Sequence, residues 1–309
     1  MKFLHLFFFL LIFMFINACN DEPLDTSIFI EEQEEEEQEE KWDPGTFTDK
    51  NGTLFFTGIQ CTQGSPNYIA GENILENLEI HSNLPTAFDL SEFLPPIDSQ
   101  GSMGSCTSWA ISYYMKSMQE GIQNGVTLRL SPSYTYNQIS QGICGGTDLE
   151  TTLEILKNQG VSTWNTFPYS DTDCTTQPHS AAREEAANNK ISDYKGLSGV
   201  NMVNEMKTLL TQQIPIIISV TLSDQFGRPD NFGNAAYREH AINYDKTACH
   251  AMLVVGYSDM TNAFKVVNSW GIQWGNEGFV WIDYQAFENV TNENSAFRVI
   301  NSAYIAYDE

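Results

Sequence analysis

The chain has 309 residues, 41% of them hydrophobic, enough for one large domain or two ordinary ones around a substantial core. That composition excludes a wholly disordered or fibrous protein. A formal net charge of −25, from 40 acidic against 15 basic residues, excludes nucleic acid as a partner and opposes adsorption to anionic lipid headgroups.

The chain begins with Lys2, an apolar run from Phe3 to Ile16, and small or polar residues up to Cys19. This is the layout of a secretory signal peptide over residues 1–18. The run falls short of the roughly 20 apolar residues that a membrane-spanning helix needs. The ending "INAC" resembles the lipobox of bacterial lipoprotein signals, which implies cleavage before Cys19 and a lipid on its sulfur. On that reading the protein is exported to the bacterial cell envelope and meets a membrane only through its lipid anchor; without the lipid it is secreted.

Residues 31–40, "EEQEEEEQEE", cannot bury apolar surface and repel one another, so 19–45 is read as an acidic, disordered spacer. Residues 46–85 mix short apolar pieces ("TLFFTGI", "NYIA", "ENILENLEI") with Gly, Asn, Ser and Pro. This extension reads equally as a small pro-segment, a piece packed on the main domain, or a linker. No internal repeat suggests a solenoid.

The remainder, 86–309, reads as one domain whose first half is mainly helical and whose second half is mainly strand. Ile111, Met115, Met118 and Ile122 recur at helical spacing behind Cys106, with Gly125 past the end. "SPSYTYNQI" sets Ser131 as a cap and Pro132 in the first turn, and "TDLETTLEILKNQG" reads as a capped amphipathic helix. Then the period changes. "IPIIISVTL", "AMLVVGYS", "AFKVVNSW" and "GFVWIDY" are β-branched or aromatic runs separated by turn residues, the signature of an antiparallel sheet. The expected class is α+β, with room for a cleft between helical and sheet layers.

The chemistry centres on "QGSMGSCTSWA", residues 100–110. A thiol with an ordinary pKa near ~8.5 is a poor nucleophile until deprotonated. Cys106 stands at a helix N-terminus, where unpaired N–H groups favour the thiolate. Of the histidines, His5 lies in the signal, His81 and His179 lie in polar, loop-like text, and His250 opens the apolar strand "HAMLVVGYS". Asn268 follows at the end of another strand, where its amide oxygen can accept the imidazole's second N–H and fix its tautomer, and Trp270 can keep water off that bond.

These residues resemble the papain-like cysteine peptidases. Gln100, Gly101, Gly104, Ser105 and Cys106 match the family's first signature. His250, Ala251, Gly256 and Tyr257 match the second; Asn268, Ser269, Trp270, Gly271, Trp274, Gly275, Gly278 and Phe279 match the third. His250 falls within the roughly 130–150 residues that separate nucleophile and histidine in this family, and Asn268 slightly beyond. The resemblance implies a two-lobed fold, an N-terminal helical lobe and a C-terminal antiparallel β-sheet lobe with the cleft between them.

It further implies an endopeptidase acting on proteins or peptides, with no cofactor and no metal. Cys106 is the implied nucleophile, His250 the acid/base, Asn268 its orienting partner, and the Gln100 amide with the Cys106 N–H the oxyanion hole. Trp270 shields the His250–Asn268 bond. Gly145 and Gly146, in a loop one residue shorter than the family's, are implied substrate contacts. Met103 replaces a family cysteine, so the family's disulfide from that position cannot form; in an oxidising compartment Cys144 could instead pair with Cys174, which follows "FPYSDTD", a stretch resembling the family's Tyr-Pro-Tyr region, whereas Cys61 and Cys249 have no obvious partner. Thr107 occupies the usual tryptophan site. Two rival readings use the same scaffold: a catalytically silent binding protein, and an aminopeptidase or acyl-transferase with the same Cys–His pair. The family's long helical inhibitory pro-segment has no counterpart in residues 20–85. The expectation is therefore that the extension does not inhibit, although 46–85 could still lie over the cleft.

Overall fold

The computed structural model describes residues 45–49, 51–59, 73–222, 226–231, 233–237, 248–288 and 299–309, all within the compact unit Trp42–Glu309. The signal segment, Cys19, the acidic run, Cys61 and His240 lie outside the described residues.

The described chain opens with an antiparallel hairpin, β1 (Thr46–Thr48) and β2 (Leu54–Phe56), with Thr46 opposite Phe56. Asp49 closes it by accepting from the N–H groups of Asn51 and Thr53. β3 (Ala87–Asp89) follows the rest of the extension. The helical layer starts at α1 (Cys106–Ser108), widens into a π-helix over Trp109–Lys116 and returns to α-helix as α2 (Ser117–Asn124). Its buried side carries Trp109, Ile111, Met115 and Met118, and Gly125 ends it at φ +68°. α3 (Pro132–Ile139) has Ser131 as its cap, accepting from the Tyr134 N–H, with proline in its first turn. α4 (Leu149–Asn158) is capped by Asp148, which accepts from the Thr151 N–H. α5 (Ser180–Ala186) is capped by the His179 imidazole.

The sheet layer comprises β4 (Ile191–Gly196), β5 (Ile216–Leu222), β6 (Arg228–Pro229), β7 (Ala235–Tyr237), β8 (Ala248–Ser258), β9 (Ala263–Val267), β10 (Phe279–Asp283) and β11 (Ile300–Asp308). α6 (Met202–Thr211) packs on it. Strand order is β4-β11-β5-β8-β9-β10-β7-β6, with β3 added along β8. Among the strands described, the pairings are antiparallel except β10 with β7, a departure from the purely antiparallel sheet expected. The fold is the expected α+β arrangement.

β5 and β8 are buried on both faces because the helical layer and α6 cover them, which explains why "IIISV" and "MLVV" are apolar without alternation. β8 pairs with β5 at Val220↔His250 and with β9 at Leu253↔Val267. Continuing that second register past the end of β9 brings Asn268 and Trp270 alongside His250. The core thus fixes the histidine and its partners on one rigid ladder, facing the helix that begins at Cys106.

Candidate active site

Cys106, His250, Asn268 and Gln100 are all fully buried, and Trp270 is 6% exposed. The Cys106 sulfur accepts from the Ala251 N–H at 3.4 Å, which docks the nucleophile against the residue after His250. His250 Nε2–H donates to Asn268 Oδ1 at 2.7 Å. That oxygen also accepts from the Ser269 N–H at 2.7 Å, so two donors converge on it and it must be the amide oxygen. The imidazole proton is therefore on Nε2, and Nδ1 carries a lone pair without a hydrogen-bond partner. Trp270 stacks on His250 with centroids 4.6 Å apart and 27° between planes.

Gln100 is anchored by two contacts with Ser269: its N–H donates to Ser269 O at 2.8 Å, and its Oε1 accepts from Ser269 Oγ at 2.6 Å. The second bond fixes the orientation of the amide, whose Nε2–H group donates to Met103 O at 2.8 Å. Ser269 is a positioning residue that the sequence places only as a motif member. Tyr114 Oη donates to Asn268 O at 3.2 Å and secures the same loop from below.

Burial pushes the Cys106 thiol up to about 12, against backbone N–H groups of Ala251, Thr107 and Cys106 that pull it down. Burial likewise lowers His250 to about 4, against the Asn268 bond, which raises it. Both groups are neutral here.

The extension crosses the cleft. Phe47 and Phe55 stack on Trp270, with centroids 5.4 and 4.7 Å away and planes inclined by 9° and 21°. Trp270 Nε1–H donates to Phe56 O at 2.8 Å, Gln100 Nε2–H to Thr57 O at 3.3 Å, and the Thr147 N–H to Gly58 O at 2.8 Å. Three consecutive carbonyls thus run from the Trp270 wall, past Gln100, to the loop on the far side. Gly58 is packed so tightly that a Cβ there would lie 2.2 Å from Gly104 O. We call residues 45–59 the strap. It settles one open point, since the extension does cover the cleft.

Gly145 and Gly146 sit next to the contact but do not make it. The Gly145 carbonyl accepts from Tyr136 Oη at 2.8 Å, and the donor to the strap is Thr147. Thr107, in the family's tryptophan position, shares a hydrogen bond with Thr147 and steadies that donor. Beneath them, Trp109 fills the aromatic role against Tyr113, Trp164 and Tyr169. Cys144 and Cys174 are joined with Cα atoms 5.5 Å apart, and Met103 packs against them. Cys249, which the sequence leaves without a partner, is disulfide-bonded; here the structure corrects the reading. Among the described residues no group of three or more His, Cys, Asp and Glu side chains is placed to hold a metal, and no helix is long and apolar enough to cross a membrane.

With this geometry in place, comparison with known proteins gives a match to the papain family of cysteine proteases over residues 84–300. The chain belongs to that family. Among relatives, it is 29% identical over 223 residues to the gamete and mating-type specific protein A of Dictyostelium discoideum, covering 70% of this chain and 45% of that one, so it spans under half of that relative's length. Mouse cathepsin K is 23% identical over 267 residues, covering 84% of this chain and 75% of its own. Among solved structures, xylellain, a cysteine protease from Xylella fastidiosa, superposes with a TM-score of 0.65 at 20% identity, covering 83% of this chain and 100% of that one. Digestive procathepsin L 3 of Tenebrio molitor gives 0.60 at 18% identity, covering 79% and 77%. At such identities these structures establish the papain-family fold.

Proposed function

We propose that this chain is an exported cysteine-type endopeptidase held latent by its own strap. The observation that carries this reading is the strap's path across the nucleophile, with its Thr57 carbonyl held by Gln100, the group aimed where an oxyanion would form.

The chemistry follows from the placement of each group. With the strap withdrawn, water re-enters and both pKa values relax toward their ordinary ranges. The Cys106 proton then passes to His250 Nδ1, and the thiolate, at a helix N-terminus, attacks the substrate carbonyl carbon. The resulting oxyanion accepts from Gln100 Nε2–H and the Cys106 N–H, each such donor contributing ~3 kcal/mol in the transition state. His250 gives its proton to the leaving amine, leaving a thioester on Cys106. It then takes a proton from water, and the hydroxide releases the acid and the thiolate. Asn268 holds the ring through both steps.

Direction explains why the strap is an inhibitor rather than a substrate. The leaving amine must lie where His250 can protonate it, on the Trp270 side. A productive peptide therefore runs from the Thr147 loop toward Trp270. The strap runs the other way, from Phe56 at Trp270 to Gly58 at Thr147. The expectation that the extension does not inhibit is reversed on this account.

The strap also supports endopeptidase action over the exopeptidase or acyl-transferase reading. Chain continues on both sides of the nucleophile, and a cavity of about 510 Å³ beside Trp270, lined in part by Phe226, Arg228 and Trp274, leaves room on the leaving-group side. Protein or peptide substrates are expected. The signal-like N-terminus and two disulfide-bonded sites support export, with Cys19 as lipid anchor and 19–45 as spacer. Hydrolysis of a doubly blocked peptide after strap removal tests the reading: it should appear with wild-type protein and vanish with Cys106→Ala. Activity only on free N-termini would favour the aminopeptidase, and none at all the silent binding protein.

A further inference from the structure

The stretch "FPYSDTD", residues 167–173, has no part in the chemistry above. Its Tyr169 is folded against the turn of residues 100–105, which joins the two halves of the oxyanion hole: the Gln100 side chain at one end and the Cys106 N–H just past the other. Tyr169 Oη donates to Gln100 O at 2.9 Å and lies 2.7 Å from Ser105 Oγ. A phenol has one proton and a carbonyl oxygen can only accept, so that proton goes to Gln100 and Ser105 donates to the phenol. One hydroxyl thus holds both ends of the turn.

The surroundings show how closely this contact is built. Ser105 is the N-cap of α1, yet its side chain makes no capping bond. A serine there ordinarily accepts from an N–H of the first turn; here it is turned to Tyr169 instead. Gly101 stands at φ +58°, and a Cβ on it would lie 2.1 Å from Asp171 Oδ2, so the 169–171 segment lies directly against the turn. Ser102 Oγ donates to Asp171 O at 3.3 Å, and the Tyr169 ring is held edge-on to Trp109 with centroids 5.0 Å apart.

The Gln100 N–H donates to Ser269 O at 2.8 Å. The Gln100 backbone is therefore gripped twice, by Ser269 through its N–H and by Tyr169 through its carbonyl. Its side-chain amide has two hydrogens, of which one goes to Met103 O at 2.8 Å and the other reaches Thr57 O at 3.3 Å. With a single hydrogen left to offer, the seat of the Gln100 backbone decides whether that hydrogen meets an oxyanion.

We propose that Tyr169 is a positioning residue of the oxyanion hole, its hydroxyl fixing Gln100 and Cys106 relative to each other while touching neither the substrate nor the reacting atoms. The proposal rests on the peptidase reading above. A misplaced donor weakens stabilisation of the charge that develops in the transition state, and leaves substrate binding and the reactivity of the thiol in place. The loss therefore falls on kcat.

The test uses full-length Tyr169→Phe protein, which keeps the ring against Trp109 and removes only the hydroxyl. Two reactions of Cys106 are compared: hydrolysis of a doubly blocked fluorogenic peptide, which builds an oxyanion, and alkylation by iodoacetamide, a displacement at carbon that builds none. Both need the same open strap, so the ratio of kcat/KM to the alkylation rate cancels the opening equilibrium. We expect kcat to fall at least about tenfold with KM unchanged, short of the ~10²–10³ lost when a donor is removed outright, and alkylation to stay within about twofold of wild type. Ser105→Ala, which keeps the Gln100 bond, should fall between, and it decides the matter if Tyr169→Phe does not fold. Tyr194→Phe, whose hydroxyl meets Glu154 on the surface, should change nothing. Unchanged kcat in Tyr169→Phe, or hydrolysis and alkylation falling together, overturns the proposal. Wild-type protein that is alkylated at Cys106 but hydrolyses no peptide overturns the peptidase reading instead. The tyrosine is then judged by a peptide aldehyde, whose hemithioacetal oxygen enters the same hole: it should bind Tyr169→Phe at least about tenfold more weakly than wild type, and equal affinity overturns the role.

Discussion

Gly58 is where the strap is most vulnerable to a single methyl group. A Cβ at this position would lie 2.2, 2.3 and 2.8 Å from the O, C and Cα of Gly104, two residues before the nucleophile. All three atoms are backbone, so no side chain can rotate away and the strap itself must lift. Forcing an extra carbon into a packed contact costs ~1–3 kcal/mol. The open form pays none of it, since Gly58 is then free of Gly104. Gly58→Ala should therefore raise the open population, and with it activity, by roughly 5- to 150-fold. The assay is hydrolysis of a doubly blocked fluorogenic peptide by uncut, full-length protein, with Cys106 alkylation timed in parallel. Leu54→Ala serves as the control, because Leu54 is 52% exposed in the same hairpin. Unchanged hydrolysis and alkylation in Gly58→Ala, in protein that melts normally, would refute the idea that this contact seats the strap.

Other consequences are equally direct. Phe47→Ala should open the latent form as well, because its ring stacks on Trp270 and aromatic pairs are worth ~0.5–1.5 kcal/mol beyond the area they bury; a gain in Cys106 alkylation reads it. Acid should loosen the strap: His250 is held at about 4 in the closed form and returns toward ~6.5 when released, so its support for closure is complete above pH ~6.5 and is lost as pH falls through 4. That shift amounts to ~3 kcal/mol across the window, and hydrogen exchange at residues 54–58, corrected for intrinsic rates, should accelerate accordingly; a flat profile between pH 7 and 4 contradicts it. In strap-released enzyme, Asn268→Ala strands the buried His250 Nε2–H at a cost of ~1–3 kcal/mol and should lower kcat by about ten- to a hundredfold with KM little changed. Cys19→Ser should leave the protein unlipidated in mass and move it out of the membrane fraction.

Much of this site is legible in the sequence because its parts are side chains with fixed chemical duties on strongly patterned elements. Cys106 opens a helix whose apolar spacing is visible, and His250 begins an unmistakable buried strand. Asn268 ends the next strand, and antiparallel register then carries it to the histidine. The strap is a different matter. It holds the cleft through the carbonyls of Phe56, Thr57 and Gly58, which every residue possesses, so "TLFFTGI" bears no mark of what it binds. Its glycine is required by the backbone of Gly104, a neighbour some 46 positions away in sequence that no local pattern reveals. The Cys249 bond is hidden for a related reason, since cysteine pairing depends on spatial approach rather than on spacing. The edge strand β4, its neighbour β11 and the parallel pairing of β10 with β7 arise from packing against elements distant in the chain.

The measurement that bears most directly on the whole account is the site and rate of covalent labelling by a thiol-directed peptide probe, mapped by mass spectrometry before and after strap release. Labelling should be slow in the intact chain and rapid and confined to Cys106 once the strap is removed, with peptide hydrolysis appearing in step. Label that never settles on Cys106 after release, or hydrolysis that survives Cys106→Ala, would contradict it.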